Sequence, residues 1–220
     1  MAEISGPIAR FEKMAIRYNP QKHPWFQQIL LENLNLLRTK SVGQALFSRI
    51  AAATPQSRGD YGHSINIICS PSHVEYVQSR HKFKAYTNLN NEWVKEGIFA
   101  SANEAHIARR GDTECRFRYY TKSGFGSYVK KIDGGAAENG TGSVCELYFA
   151  NTQLLTGKGE STQPFIVLAH ELIHCVHALE GINAGVHEEK WTTGINQYRN
   201  ERMSENAFRD ALGIDRRESY

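Results

Sequence analysis

A chain of 220 residues, 40% hydrophobic and 22% charged, with 10 Tyr, 10 Phe and 3 Trp, can bury a core of its own, which excludes global disorder. Its formal net charge of +3 and pI near 8.6 are too mild to require a nucleic-acid or membrane partner. The longest apolar run, Phe165 to Ala169, falls far short of the roughly 20 residues that cross a bilayer.

Residues 1–24 carry Glu3, Arg10, Glu12, Lys13 and Arg17 and end in Asn19-Pro20 and His23-Pro24. They show no Sec-type signal peptide, and the turn signals oppose a helix, so a flexible arm is expected, ahead of one domain at 25–220. From Trp25 to Arg38, Phe26, Ile29, Leu30, Leu34 and Leu37 recur at helical spacing, and Val42 to Ala53 repeats the pattern. Thr54-Pro55 and Gly59 break it, predicting a loop over 51–62. Strands are expected at Ser64 to Cys69, Cys115 to Thr121 and Val144 to Phe149. Six glycines between Ser123 and Gly142 predict a long mobile loop. The cysteines at 69, 115, 145 and 175 are scattered without a C-x-x-C pair, so they read as reduced core residues.

Gln163 to Glu180 reads as one helix, opened by Ser161-Thr162 with Pro164 in its first turn and closed by Gly181. At about 100° per residue, His170, His174 and His177 share one narrow stripe, while apolar residues fill most of the remaining circumference. Buried imidazoles need partners, and a divalent cation satisfies two at once. His170-Glu171-x-x-His174 is H-E-x-x-H, in which two histidines one turn apart reach one Zn²⁺. Glu171, at the edge of the same face, suits a general base acting on metal-activated water, and the chemistry expected is amide hydrolysis. His177 is expected to pack or to support a ligand.

A third protein ligand is required. The metzincin pattern would place Gly at 177 and His at 180, where this chain has His177 and Glu180. Glu188 and Glu189, opening another helix after a turn through Gly181 to Gly185, are the next candidates. Spacing leaves both open.

The stretches AHELIHCVH, EEKWTTG, SENAFRDALG and RRESY, over roughly residues 163–220, resemble the NleD-type effector zinc metalloproteases delivered by bacterial type III secretion. The helical pair at 26–53 resembles that family's amino-terminal region only weakly. The site is also similar to clostridial neurotoxin light chains, which share HELIH, an EE-x-x-T-x-G segment and an R-x-x-Y pair. The resemblance implies an α+β zincin-like domain: amino-terminal helices, a small central sheet, then an active-site helix and a ligand helix. It implies one Zn²⁺ held by His170, His174 and Glu189, with Glu171 as base and Arg217 and Tyr220 stabilising the oxyanion. It implies cleavage of a host mitogen-activated protein kinase after export by a non-Sec, type III route into the host cytoplasm. Substrate selection is expected from Val144–Phe149 acting as an edge strand and from the glycine-rich loop, while Glu205 and Asn206 are expected to cap or brace the last helix.

The competing reading is a binding module that keeps a metal for stability alone. Nucleic-acid binding through Arg109-Arg110, Arg116 and Lys130-Lys131 rests on scattered basic pairs, which solvated surface explains.

Overall fold

The computed structural model describes residues 9–11, 13–21, 23–24, 26–56, 63–69, 82–87, 93–98, 116–120, 127–150, 154–155 and 161–219. Its centre is a mixed five-stranded sheet. The strands β1 (Ala9–Phe11) and β2 (Met14–Arg17) form an antiparallel hairpin, and β2 runs parallel to β3 (Ile65–Cys69). Two helices, α1 (Phe26–Arg38) and α2 (Ser41–Ala52), occupy the connection between β2 and β3. A separate antiparallel sheet has the order β5 (Trp93–Ile98), β4 (Lys82–Thr87), β6 (Arg116–Tyr120). The main sheet is completed by β7 (Tyr128–Lys131), antiparallel to β8 (Cys145–Phe149), which in turn lies parallel to β3. A short pair, β9 (Leu154–Leu155) and β10 (Ser161–Thr162), leads into α3 (Pro164–Glu180).

Alternation along the strands decides the inner face. Ile65 and Ile67 of β3 and Cys145, Leu147 and Phe149 of β8 join Met14 and Ile16 in the core, against Phe26, Leu30, Leu34 and Leu37 of α1 and Leu46 and Ile50 of α2. Each fully buried Leu, Ile or Phe contributes about 1.5–3 kcal/mol. The helix α3 contacts α1, α2, β7 and β8, and every residue from Ile166 to Leu179 is buried. Polar groups on this helix are therefore presented from the interior.

The flexible arm expected over 1–24 is corrected where the structure describes it. Met14, Ala15 and Ile16 are 0% exposed, and the Tyr18 hydroxyl donates to Gln27 Oε1 at 2.8 Å. The turn residues that argued against a helix follow a strand that pairs with β3 and whose Met14 and Ile16 join the core. The mobile loop expected at 123–142 is also corrected: residues 128–131 form β7, and the following turn docks on the end of α3. Ser143 N donates to Ala178 O at 2.8 Å and Gly140 N to Gly181 O at 2.9 Å. Gly142 has φ +79°, and a Cβ there would lie 2.1 Å from Leu179 O. Glycine at that position permits close packing. Residues 123–126 lie outside the described residues, as do Cys115, the Arg109-Arg110 pair and Tyr220. Cys69, Cys145 and Cys175 are buried.

The ends of α3 explain its register. Ser161 and Thr162 belong to β10, so the cap position falls to Gln163, with Pro164 in the first turn, where its missing N–H costs nothing. At the other end Gly181 takes φ +73°. Its N–H reaches Ala178 O at 3.1 Å while Ile182 N reaches His177 O at 2.9 Å, the paired bonds of a Schellman motif. Glu180, the position that separates this helix from the metzincin pattern, is gripped by both arms of the Arg49 guanidinium.

Candidate metal centre

One turn of α3 separates His170 from His174, and their rings meet edge to face with centroids 4.7 Å apart. Their Nε2 atoms lie 3.0 Å from each other. Glu189 Oε2 lies 3.2 Å from His170 Nε2 and 3.5 Å from His174 Nε2. A tetrahedral ion 2.0–2.1 Å from each ligand atom would hold those atoms about 3.3–3.4 Å apart. The triangle fits, and two imidazoles with one carboxylate are a donor set suited to zinc.

The far side of each ring is engaged by a carboxylate. His170 Nδ1 lies 2.9 Å from Glu205 Oε2, and His174 Nδ1 lies 2.8 Å from Glu188 Oε1. A proton on Nδ1 donates to these acceptors and leaves the Nε2 lone pair facing the triangle. Glu188 Oε1 is also 2.8 Å from His177 Nδ1, and it accepts from the Thr192 hydroxyl at 3.1 Å. Its Oε2 takes the Ala184 N–H at 2.9 Å. His177 is stacked on Trp191 with centroids 4.0 Å apart, so its place is behind His174.

Two short helices deliver these carboxylates. The helix α4 (Glu188–Thr193) follows a 3-10 turn, Gly185–His187. Neighbouring helical residues point about 100° apart, so Glu188 turns inward with its side chain 9% exposed while Glu189, 43% exposed, faces the open side. The helix α5 (Glu205–Leu212) is capped by Ser204, whose Oγ accepts from Ala207 N. Of the two roles expected of Glu205 and Asn206, capping thus falls to Ser204 and bracing remains theirs. Asn206 instead staples the tail, donating to Gly194 O and Arg217 O and accepting from Arg217 N. Glu205 is 1% exposed and ion-paired with Arg209 at 2.8 Å and Arg217 at 3.1 Å.

Charge follows the geometry. Burial opposes ionisation of Glu205, but the hydrogen bond from His170 and the two arginines outweigh it and hold the carboxyl down at about 2. Burial likewise opposes charge on Glu188 and Glu189, and their histidine contacts pull both well below the ordinary carboxylate range. His174 is disfavoured as a cation by burial, yet Glu188 and Glu189 raise it to about 10. Glu171 differs: burial raises its carboxyl, with the two histidines pulling the other way.

Glu171 lines a cleft of about 350 Å³ together with His170, His174, Glu188 and Glu189. Ser127, Val129 and Lys131 form its opposite wall. Val129 and Lys131 belong to β7, an edge strand of the main sheet among the described residues. Ile132 N donates to Val144 O at 3.1 Å. With Lys131 paired to Cys145 in the ladder, the backbone groups of Tyr128 and Lys130 turn to β8, and those of Val129 and Lys131 face the open edge. The expectation of an edge strand at Val144–Phe149 is thus corrected: β8 is interior, between β3 and β7, and β7 is the edge on that side.

Arg217 is not among the residues lining the cleft. Its Nε donates to Ser219 O at 2.9 Å and its Nη1 to Glu205 Oε2, which places it behind His170. The support that Glu205 gives His170 was missed from the sequence, while Val129 and Lys131 fall in the glycine-rich stretch expected to contact substrate, read there as loop and found here as strand. A Glu four residues before an Arg beside Phe208 was the available trace of that support.

No family model and no curated protein matches the chain. Among solved structures it is similar to the Clostridium botulinum neurotoxin serotype F light chain, with 18% identity over 84% of this chain and 47% of that one and a TM-score of 0.41. It is also similar to the botulinum neurotoxin type G light chain, with 14% identity over 82% of this chain and 48% of that one and a TM-score of 0.41. The chain spans about half the length of these light chains.

Proposed function

We propose that this chain is a zinc-dependent endopeptidase in which His170, His174 and Glu189 hold one Zn²⁺ and Glu171 is general base and acid. The observation that supports this most is the convergence of two Nε2 atoms and one carboxylate oxygen, 3.0 to 3.5 Å apart, in a cleft walled by an open strand edge. Bound there, zinc polarises a carbonyl and acidifies water. The remaining work falls to side chains and backbone. Glu171 takes a proton on its carboxylate from the attacking water and returns it to the leaving amine. The outward N–H and C=O groups of Val129 and Lys131 hold an extended peptide across the cleft as an added strand. Glu205 and Glu188 keep the imidazoles aimed. Arg217 acts through Glu205, and oxyanion stabilisation by Arg217 and Tyr220 is carried over from the sequence resemblance alone. That resemblance also extends the proposal to a host mitogen-activated protein kinase as substrate and to type III delivery.

The test incubates host-cell extract with wild type and Glu171→Ala and identifies new termini by mass spectrometry, with zinc measured in both proteins. One zinc in each and fragments from the wild type alone are expected. An uncut extract, with chelation lowering the melting temperature of the zinc-loaded chain, would replace this reading with a metal-stabilised binding module.

A further inference from the structure

Among the described residues lining the cleft, Lys131 is the single lysine or arginine. It faces Cys145 across the ladder, and Val129 faces Leu147, so both side chains project from the face of the sheet that carries the active-site helix. The Lys131 ammonium donates to Asn183 Oδ1 at 3.1 Å and lies 3.5 Å from Glu138 Oε1. Asn183 is itself fixed: its N–H donates to Ala137 O at 2.9 Å, and its Oδ1 also accepts from Gly185 N at 3.2 Å. Glu138 is held loosely, its side chain 51% exposed against 31% for Lys131. Of the three carboxylates lining the cleft, Glu188 and Glu189 are used on the histidines, and Glu171 stands on the active-site helix beside them. The ammonium is therefore steadied by a braced neutral amide and faces one weakly held, half-exposed carboxylate.

We infer, resting on the peptidase reading, that Lys131 selects substrates with an acidic side chain two residues from the one that faces Val129, the substrate carboxylate replacing Glu138 on the ammonium. A peptide added to the open edge repeats the alternation of β7. Its inward side chains recur every second residue, about 7 Å apart, as Val129 and Lys131 do. Exchanging one carboxylate for another preserves the ion pair, and Glu138 returns to water, where an exposed pair is worth little. A basic side chain at that position would meet the ammonium directly.

The zinc-loaded chain is tested on a peptide library made from a digested proteome, with cleavage sites read by mass spectrometry. Wild type is expected to favour Asp or Glu at one position by about ten- to a hundredfold in kcat/KM over neutral residues, the range of a charge-assisted hydrogen bond. Lys131→Glu should turn that position to Lys or Arg, Lys131→Met should flatten it, and neither should alter preference elsewhere. Glu138→Gln should lower KM for acidic peptides with kcat unchanged. An unchanged profile in Lys131→Glu, cleaved more slowly throughout, would reduce Lys131 to a strap between loops and overturn the inference. So would a wild-type profile with no acidic position. A library left uncut by wild type overturns the peptidase reading itself, and the inference with it.

Discussion

His170 and His174 stand one turn apart on the same helix, yet they are supported by different parts of the chain. The carboxylate behind His170 comes from Glu205, 35 residues downstream, and it is neutralised by two guanidinium groups. The carboxylate behind His174 comes from Glu188, beside the proposed ligand Glu189, and its partners are two imidazoles, a hydroxyl and one backbone N–H. The first support is an ion cluster in which two guanidinium groups share one carboxylate. The second spreads one carboxylate over four hydrogen bonds. Distances to the histidines of 2.9 and 2.8 Å conceal unequal consequences of losing the carboxylate.

The largest effect is expected from Glu205→Ala, which leaves Arg209, 6% exposed, and Arg217, 13% exposed, without their shared anion. Urea unfolding of the metal-free protein should show a loss of about 3–5 kcal/mol, and zinc affinity should fall about ten- to a hundredfold. Glu188→Ala should lower zinc affinity over a similar range, about ten- to a hundredfold. Its stability cost should be smaller, about 1–3 kcal/mol, because hydrogen bonds are lost there and no buried guanidinium loses its carboxylate. Matching unfolding losses in the two variants would erase the distinction between the supports. Asn206→Ala probes the first support from a distance, releasing the tail that carries Arg217. About 1–2 kcal/mol in the melting curve is expected, with a smaller change in zinc affinity than either glutamate gives. The mildest variant is Trp191→Leu, which removes the ring stacked on His177. A loss of about 0.5–1.5 kcal/mol beyond the change in buried area is expected, and a fall in zinc affinity as large as that of Glu188→Ala would show that stacking, and not the carboxylate, orients His174.

The same contrast marks what could be read from the sequence. The helix at 164–180 was legible to within a residue, because its apolar circumference, its proline and its glycine agree. His170, Glu171 and His174 were legible because one turn of a helix is a local geometry. Glu188 and Glu189 could not be separated by spacing, since the choice depends on how α4 is rotated against α3. Glu205 was out of reach for a stronger reason: its partner is set by the packing of α5 on α3, a tertiary contact. The strand β7 was hidden because its four residues, Tyr-Val-Lys-Lys, lie in a glycine-rich run. Two lysines on an edge strand read as loop until its neighbour is known. The amino-terminal hairpin was lost similarly, since β2 gains its identity from β3.

The complete burial of α3 also sets an order of opening. Its central amides, from His170 to Val176, lie in the interior and should exchange with solvent deuterium only when the whole domain unfolds. The six-residue helix that carries Glu189 has its outer side in water and should open in smaller, more frequent excursions. A metal held between them would leave by the Glu189 side first, with both imidazoles still in register on a helix that has not moved.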